Sequence, residues 1–382
     1  RKLNDYYDFF QMILARPGER HPPGRPIPAQ AVNTLGEVPD NSWFTNRHGA
    51  MRMSRQELLR GPGDSNAPDA GPWEVIEAKN EGVTPGFTIR DSRGNRYKLK
   101  FDPLSNPEMA TAADVIGAKF FHALGYNVPE NYIVTFPRER LQLKRGGVEF
   151  IDAFGKQRKM TRRDVDEILL KVPKTRDGRI RGVASFFLKG KLLREFRYHG
   201  TRADDPNDIV PHEHRRDLRG LFVFCAWLGH DDSRAINTMD SLIEENGLKY
   251  IRHYLLDFGS ILGSASTKPN SPRSGNQHLF SWKPAAVELF TLGLHVPRWA
   301  RARYPALPSV GLFEHEIFDP ERYRTEYPNP AFENRLPDDT FWAAKIVMRF
   351  SDEDIRALVS AGEYSDPRAT ERRVGNAVNA ER

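Results

Sequence analysis

The spacing of hydrophobic and polar residues changes along the chain, from alternation in the first half to helical spacing in the second. Short segments of alternating character, which are typical of strands, occur at residues 73–80, 86–90 and 96–101. The turn DSRGN separates the last two, and its Asp, Ser and Gly residues tolerate the tight backbone of a hairpin. The pattern predicts a three-stranded antiparallel unit over residues 73–101.

A helix is predicted directly after these strands, in the segment EMATAADVIGAKFFHALG. Gly125 supplies its C-terminal stop. Its apolar residues share one face: Met109, Ala112, Ile116, Phe120 and Leu124. The sequence then predicts a strand at NYIVTF, a hairpin within residues 140–160, a helix capped by Thr161 and a strand at VASFFLKG.

From about residue 215 the apolar spacing is mainly helical. LRGLFVFCAWLG predicts a buried helix, and KYIRHYLLDFGS contains a strand that ends in a turn. Further helices are predicted at PAAVELFTLGL, FWAAKIVMRF and DEDIRALVSAG. The chain therefore has a strand-rich part with one prominent helix, followed by a helix-rich part, which predicts an α+β fold with two lobes.

The predicted division of the chain has three parts. Residues 1–14 have helical spacing and are followed by a Pro-rich connector, and the breaker cluster GPGDSNAPDAGP marks a boundary near residue 70. We expect an N-terminal helix and Pro-rich extension at 1–70, a strand-rich lobe at 71–190 and a helical lobe at 191–382.

Composition narrows the class of protein. The chain has 382 residues, 39% of them hydrophobic, and a net charge of +6, so it can build a sizeable core. No apolar stretch approaches 18 residues, and we expect no membrane span. The positive charge is scattered, which favours an anionic ligand over a specific nucleic acid. Cys225 is the only cysteine, which excludes an intrachain disulfide and a cysteine-based metal site.

The cellular compartment stays open at this stage. The chain begins with Arg1 and not with Met, so we expect a processed or trimmed product. Both a bacterial cytoplasm and export after loss of a signal peptide agree with the single cysteine.

Four polar motifs then occur in a fixed order along these elements. A strand carries Lys98 and Lys100, and the next helix opens with Glu108. The segment HDDSRAIN, which contains His230, Asp232 and Asn237, follows the buried helix, and DFG at Asp257 ends a later strand. This series resembles the protein-kinase-like superfamily, whose signatures are a strand lysine, a helix acid, an H-x-D-x-x-x-x-N loop and DFG.

The resemblance implies a phosphotransferase that uses ATP and Mg²⁺ or Mn²⁺, with an unknown hydroxyl-bearing acceptor on a protein or a small molecule. Asp232 is then the catalytic base, preceded by His230 in the same loop. Asn237 and Asp257 are the metal ligands. Lys100, or Lys98 as second choice, contacts the phosphates, and Glu108 holds that lysine. We choose Lys100 because it is the last residue of its strand.

The resemblance is to the atypical branches of the superfamily. The chain has no G-x-G-x-x-G before the lysines, and the candidate phosphate loop NEGVTPG offers only Gly82 and Gly86; no A-P-E follows DFG. The chain looks more similar to HipA-like bacterial kinases, CotH spore-coat kinases, secretory-pathway Golgi kinases and phosphatidylinositol kinases. The stretch from Asn106 to Val134 is especially similar to the HipA-like pattern. The resemblance covers roughly residues 73–262.

Each motif also has a purely structural interpretation. Asp231 and Asp232 could cap a helix, the two lysines could face solvent, and Glu108 could be a favourable charge in a first helical turn. Adjacent carboxylates at 231 and 232 would raise one pKa, unless a metal or Arg234 compensates.

Three other functions stay open for a chain with this resemblance. A kinase-like fold could transfer a nucleotidyl or a glutamyl group, or it could be an inactive binding or scaffold protein.

The segment PHEHRRD invites a metal interpretation at His212 and His214, but it lacks H-E-x-x-H spacing. We expect this segment to be a polar loop.

Overall fold

The computed structural model describes residues 3–64, 66–78, 86–151, 155–292, 294–304 and 306–381, with backbone only for residues 3–6, 288 and 381. The strands in chain order are β1 (Trp73–Ala78), β2 (Gly86–Arg90), β3 (Arg96–Lys100), β4 (Asn131–Phe136), β5 (Leu141–Leu143), β6 (Glu149–Ile151), β7 (Gln157–Lys159), β8 (Ile180–Phe186), β9 (Lys191–Leu192), β10 (Thr238–Glu245) and β11 (Leu248–Leu255).

The helices begin with α1 (Leu3–Phe10), which continues as a wider π-helical turn over Gln11–Ala15. The remaining helices are α2 (Arg55–Arg60), α3 (Met109–Leu124), α4 (Arg162–Leu169), α5 (Arg216–Leu228), α6 (Trp282–Phe290), α7 (Pro330–Glu333), α8 (Pro337–Val347), α9 (Asp352–Ser360) and α10 (Pro367–Glu381). Among the described residues, no helix is both long enough and apolar enough to cross a bilayer.

The main sheet has the strand order β4-β8-β3-β2-β1-β5. The predicted three-stranded unit is confirmed, since β1, β2 and β3 pair antiparallel in sequence order. Gly86, the first residue of β2, lies opposite Lys100, the last residue of β3, in this register. β8 and β4 complete the other side of β3, and the α+β class is confirmed.

Several predicted elements are confirmed in place. Gly125 ends α3 in the left-handed conformation, with φ of 119°. Thr161 caps α4 and forms a capping box with Asp164. The hairpin predicted within residues 140–160 is only partly correct: β6 pairs with β7, but β5 leaves that hairpin and runs parallel to β1. β10 and α10 were not predicted, and β10 pairs along its whole length with β11.

The apolar side chains form two clusters. The smaller one lies on the sheet and includes Trp73, Tyr97 and Phe136, all with at most 1% of their surface exposed. The larger one joins α3, α5 and the C-terminal helices, and it also includes Trp43 and Phe44. Part of the predicted N-terminal extension therefore packs into the main core. The boundaries at residues 70 and 190 stay predictions.

An aromatic cluster connects α3 to the DFG segment. Phe121 of α3 stacks on Phe258 with ring centroids 4.9 Å apart, and His230 lies 5.7 Å and 6.0 Å from these two rings. Gly117 lets Phe258 approach the helix, since a Cβ at this position would lie 2.5 Å from the Phe258 Cβ and 2.7 Å from the Ile261 Cδ1. Any side chain at position 117 would therefore push α3 and the DFG segment apart.

We predict that Gly117→Ala destabilises the protein by about 1–3 kcal/mol, because the added methyl group overpacks this contact. The matched control is Gly375→Ala in α10, where a Cβ would meet nothing within 4 Å. That change should leave stability unchanged or raise it slightly, because alanine favours helix. Urea unfolding of both variants measures the difference, and equal midpoints would contradict the contact.

Candidate active site

The strand lysine chosen from the sequence lies between two carboxylates. The Lys100 Nζ is 3.0 Å from the Asp114 Oδ2 and 3.0 Å from the Asp257 Oδ1. These three residues come from the end of β3, the second turn of α3 and the segment after β11. One ammonium group thus connects the sheet, the long helix and the DFG segment.

Asp114 organises the inner side of this cluster. Its side chain is 2% exposed, and its Oδ1 accepts hydrogen bonds from the Phe258 backbone NH at 3.1 Å and from the Asn131 Nδ2 at 3.2 Å. Burial raises the pKa of Asp114, and the Lys100 ammonium opposes that rise. Burial by itself would lower the pKa of Lys100, but the carboxylates of Asp114 and Asp257 raise it above its ordinary value. Lys100 therefore remains a cation near neutral pH.

Glu108 is not the partner of Lys100, which corrects the prediction from the sequence. Its carboxylate accepts a hydrogen bond from the Ser365 backbone NH at 2.9 Å, because the residue lies at the helix start and faces the C-terminal segment. Asp114 lies beside the Lys100 ammonium, where the sequence had predicted Glu108. A signal was present: Asp114 is the only acidic residue of α3, and its neighbours in sequence are buried.

Lys98 lies on the same face of β3 but faces a different partner. Its Nζ is 3.2 Å from the Glu77 Oε2, and 46% of its side chain is exposed. Lys98 therefore lies apart from the cluster and pairs at the surface. Of the two glycines predicted to bind phosphate, Gly86 lies opposite Lys100, whereas Gly82 is outside the described residues.

The HDDSRAIN segment forms a closed loop beside the DFG segment. The Asn237 Nδ2 donates to the Asp232 carbonyl at 2.8 Å, and the Asn237 carbonyl accepts from the Leu256 NH at 2.8 Å. The second of these bonds joins the loop to the end of β11, one residue before Asp257. The Arg234 Nε donates to the Asp232 Oδ1. Hydrogen bonds to backbone groups thus hold the segments that carry Asp232, Asn237 and Asp257 next to each other.

His230 does not belong to the exposed part of this loop, which corrects its assignment as a catalytic residue. Its side chain is buried and packs against Phe121 and Phe258. Burial lowers the pKa of His230, although Asp232 and Asp257 oppose the change. A neutral, buried imidazole fits a packing role between the loop and the DFG phenylalanine better than proton transfer.

Asp231 differs sharply from its neighbour Asp232. It is buried, and its carboxylate accepts a hydrogen bond from the Ser274 hydroxyl. Burial raises the pKa of Asp231 to about 8, with further increases from Asp232 and Glu326. Asp231 therefore tends to hold a proton near neutral pH.

A polar cavity of about 160 Å³ opens beside these two carboxylates. Its described walls carry hydroxyl, amide and charged groups, together with the apolar side chains of Ala265 and Leu279. The lining side chains include Asp232, Ser260, Asn270, Arg273, Gln277 and Glu326. A hydroxyl-bearing group in this cavity would lie next to Asp232.

The oxygen donors for a cation are limited. In the described part of the chain, no group of three or more His, Cys, Asp or Glu side chains is arranged to hold a metal ion. The Asp257 side chain is 48% exposed, and the Asn237 amide directs its nitrogen to Asp232, which leaves its oxygen available. One carboxylate and one amide oxygen fit Mg²⁺ or Mn²⁺ only if the other ligands are phosphate and water.

The acidic and histidine side chains of the segment PHEHRRD form hydrogen bonds and ion pairs within the fold. The His212 Nε2 is 2.8 Å from the Asp208 Oδ2, and the His214 Nε2 is 3.1 Å from the Glu19 Oε2. Glu213 accepts hydrogen bonds from the backbone NH groups of Glu19 and Gly200. These side chains fix the N-terminal segment to the start of α5.

Comparison with known proteins gives weak similarities. No protein-family model and no curated protein matches the chain. Among solved structures, the chain is similar to a Golgi casein kinase with 10% identity and a TM-score of 0.34, over 85% of this chain and 74% of that one. A structure of the Golgi casein kinase with Mn/ADP bound matches with 11% identity and a TM-score of 0.30, over 78% and 77%. Scores this low do not establish a shared fold, and the side-chain geometry has to support any function.

We predict that Asp231→Asn makes the protein relatively more stable as pH rises from about 4 to 8. The folded pKa of Asp231 is raised, so stability is fully present below the unfolded pKa, about 3.9, and is lost as pH approaches 8. The variant removes this loss, which is at most about 1.4 kcal/mol per pH unit.

Urea unfolding at several pH values measures the difference between Asp231→Asn and the unaltered protein. The control is Asp177→Asn, because hydrogen bonds from Thr175 and Arg179 lower the pKa of that exposed acid. The control should show no gain with rising pH. A constant difference for Asp231→Asn would mean that this acid is already ionised at low pH.

Proposed function

We propose that the protein is an ATP-dependent and divalent-metal-dependent phosphotransferase whose acceptor is a hydroxyl group. The observation that carries the proposal is the ion cluster in which the Lys100 Nζ lies 3.0 Å from both Asp114 and Asp257. A strand lysine fixed by a helix acid, together with the aspartate of DFG, is the set of groups that protein kinases use for phosphoryl transfer from a nucleotide.

The residues of the cluster divide the binding of a triphosphate between them. Lys100 provides a positive charge for the phosphate oxygens, and Asp114 keeps that charge in position. Asp257 and Asn237 would hold the divalent cation, which would supply positive charge to neutralise the phosphate oxygens. The first residue of β2, Gly86, is paired with Lys100 and has no side chain that could obstruct a phosphate there.

Asp232 is the proposed base. Its Oδ1 accepts from Arg234, which leaves the second carboxylate oxygen to take the proton of the acceptor hydroxyl. In the transfer, the acceptor oxygen bonds to the γ-phosphorus and the bond from that phosphorus to the β–γ bridging oxygen breaks. The proton passes to Asp232 and ADP leaves.

The mass of the modified acceptor separates this reaction from its alternatives. A gain of one phosphate supports phosphotransfer, whereas a gain of AMP or of glutamate would identify nucleotidyl or glutamyl transfer. The inactive alternative is tested by melting temperature, because a specific ligand raises it by stabilising the folded state. No shift with ATP and Mg²⁺ or Mn²⁺ would favour a binding or scaffold protein.

We predict that Asp257 and Asp232 affect different steps. Asp257→Ala should abolish metal-dependent ATP binding, because it removes the only carboxylate of the proposed cation site. Asp232→Asn should keep that binding and lower turnover about a hundred-fold or more, because it removes the base. Calorimetric titration with Mn²⁺ and ATP measures binding, and ATP consumption measures turnover. Unchanged turnover in both variants would reject the proposal.

We also predict that the two lysines of β3 are not equivalent. Lys100→Met should weaken ATP binding and lower turnover strongly, because no other cation contacts both Asp114 and Asp257 in the described structure. Lys98→Met is the matched control on the same strand face, and it should change turnover no more than about two-fold, since an exposed ion pair contributes little. Equal losses in both variants would contradict the assignment of Lys100.

A further inference from the structure

A second cavity, of about 470 Å³, lies on the C-terminal part of the molecule. The N-terminal segment after α1, the segment around His278 and the stretch from Tyr323 to Arg335 form its walls. Four of its lining residues are arginines, namely Arg16, Arg20, Arg324 and Arg335, and its lining includes one carboxylate, Glu333. The cavity therefore has a large excess of positive charge and the volume of a small-molecule site.

Part of this charge has no carboxylate partner in the described structure. Arg20 is 3.4 Å from Glu333, but no ion pair with a described residue forms at Arg324 or Arg335. The Arg335 guanidinium stacks on Phe222 at 3.5 Å and donates to the Phe332 carbonyl at 2.8 Å. Burial, with a smaller contribution from the nearby Arg324, lowers the pKa of Arg335 to about 10. A half-buried cation without a counter-ion is costly, and an anion would offset that cost.

The cavity is separate from the Lys100 cluster but shares a wall with the HDDSRAIN segment. Arg324 and Thr325 face the cavity, whereas Glu326 lines the small polar cavity beside Asp232. The Glu326 NH donates to the Asp231 carbonyl at 2.7 Å. One extended stretch of chain thus contacts both the proposed base's loop and the arginine-lined cavity.

We propose that this arginine-lined cavity binds a small polyanion, either a phosphate ester or a polycarboxylate. The planar guanidinium group matches both anions, since it forms paired hydrogen bonds with the oxygens of a phosphate or a carboxylate. The site does not depend on the proposed phosphotransfer, and its ligand is distinct from the nucleotide at Lys100.

The test uses pyrophosphate and citrate as probes, in calorimetric titrations without divalent metal. Arg20→Gln should weaken binding several-fold, and Arg335→Gln should weaken it about ten-fold, which corresponds to about 1.4 kcal/mol. Glu333→Gln should strengthen binding, because it removes the carboxylate that competes for Arg20. Arg20 is half exposed, so its loss leaves the fold intact even if Arg335→Gln does not fold.

The matched control is Arg301→Gln, which removes one exposed arginine outside the cavity. It should bind the probes as the unaltered protein does. An equal loss in this control and in Arg20→Gln would show attraction to net charge alone and would overturn the proposal. So would weaker binding in Glu333→Gln, or no binding of either probe at millimolar concentration.

Two further arms complete the test. Tighter binding of pyrophosphate identifies a ligand that binds through phosphate groups, and tighter binding of citrate identifies a polycarboxylate. Repeating the titrations with Lys100→Met protein separates the two sites, since probe binding should persist in this variant. Loss of all probe binding there would place the anion at Lys100 and overturn the second site, without bearing on phosphotransfer.

Discussion

A single ammonium group shared by two carboxylates connects the parts of this molecule on which the proposed chemistry depends. Lys100 reaches Asp114, 14 residues away along the chain, and Asp257, 157 residues away. Asp114 is almost fully buried, so its charge is stabilised chiefly by this contact and by the hydrogen bonds from Phe258 and Asn131. The third member of the cluster, Asp257, lies on its exposed side, with 48% of its side chain accessible.

Apolar packing also holds two of these elements, α3 and the DFG segment, together. Phe258 follows Asp257 directly and lies against Phe121 of α3, and the absence of a side chain at Gly117 makes room for it. His230 closes this cluster from the side of the HDDSRAIN segment. Because protein interiors are close-packed, a shift of α3 would move Asp114 and the DFG segment together. Electrostatic and apolar contacts thus specify one geometry.

The two aspartates of the HDDSRAIN segment show how burial separates adjacent groups of the same type. Both line the polar cavity, but Asp231 is buried and its pKa is raised to about 8, whereas the Asp232 side chain is 21% exposed and contacts Arg234. The stretch of chain that contains Glu326, whose backbone NH donates to the Asp231 carbonyl, also contains Arg324, which lines the arginine-lined cavity. A ligand in that cavity would therefore lie one extended segment away from the proposed base.

The local pattern of residues determined much of this protein by itself. Alternation specified β1, β2 and β3, helical spacing specified α3, and Gly125 and Thr161 ended or capped their helices as expected. The order of motifs also selected Lys100, Asp232, Asn237 and Asp257 as candidate site residues, because each is tied to a recognisable local element, and their roles stay predictions.

Only the tertiary structure decided which acid meets Lys100 and which of the loop residues face solvent. Glu108 and Asp114 lie at or near the start of the same helix, and their distances to Lys100 depend on how α3 packs against the sheet. His230 and Asp231 are buried by Phe258, Ser274 and other residues far along the chain. The arginine-lined cavity likewise joins residues 313 positions apart, such as Arg20 and Glu333. Contacts of this range depend on the packing of whole elements, which the spacing of neighbouring residues does not encode.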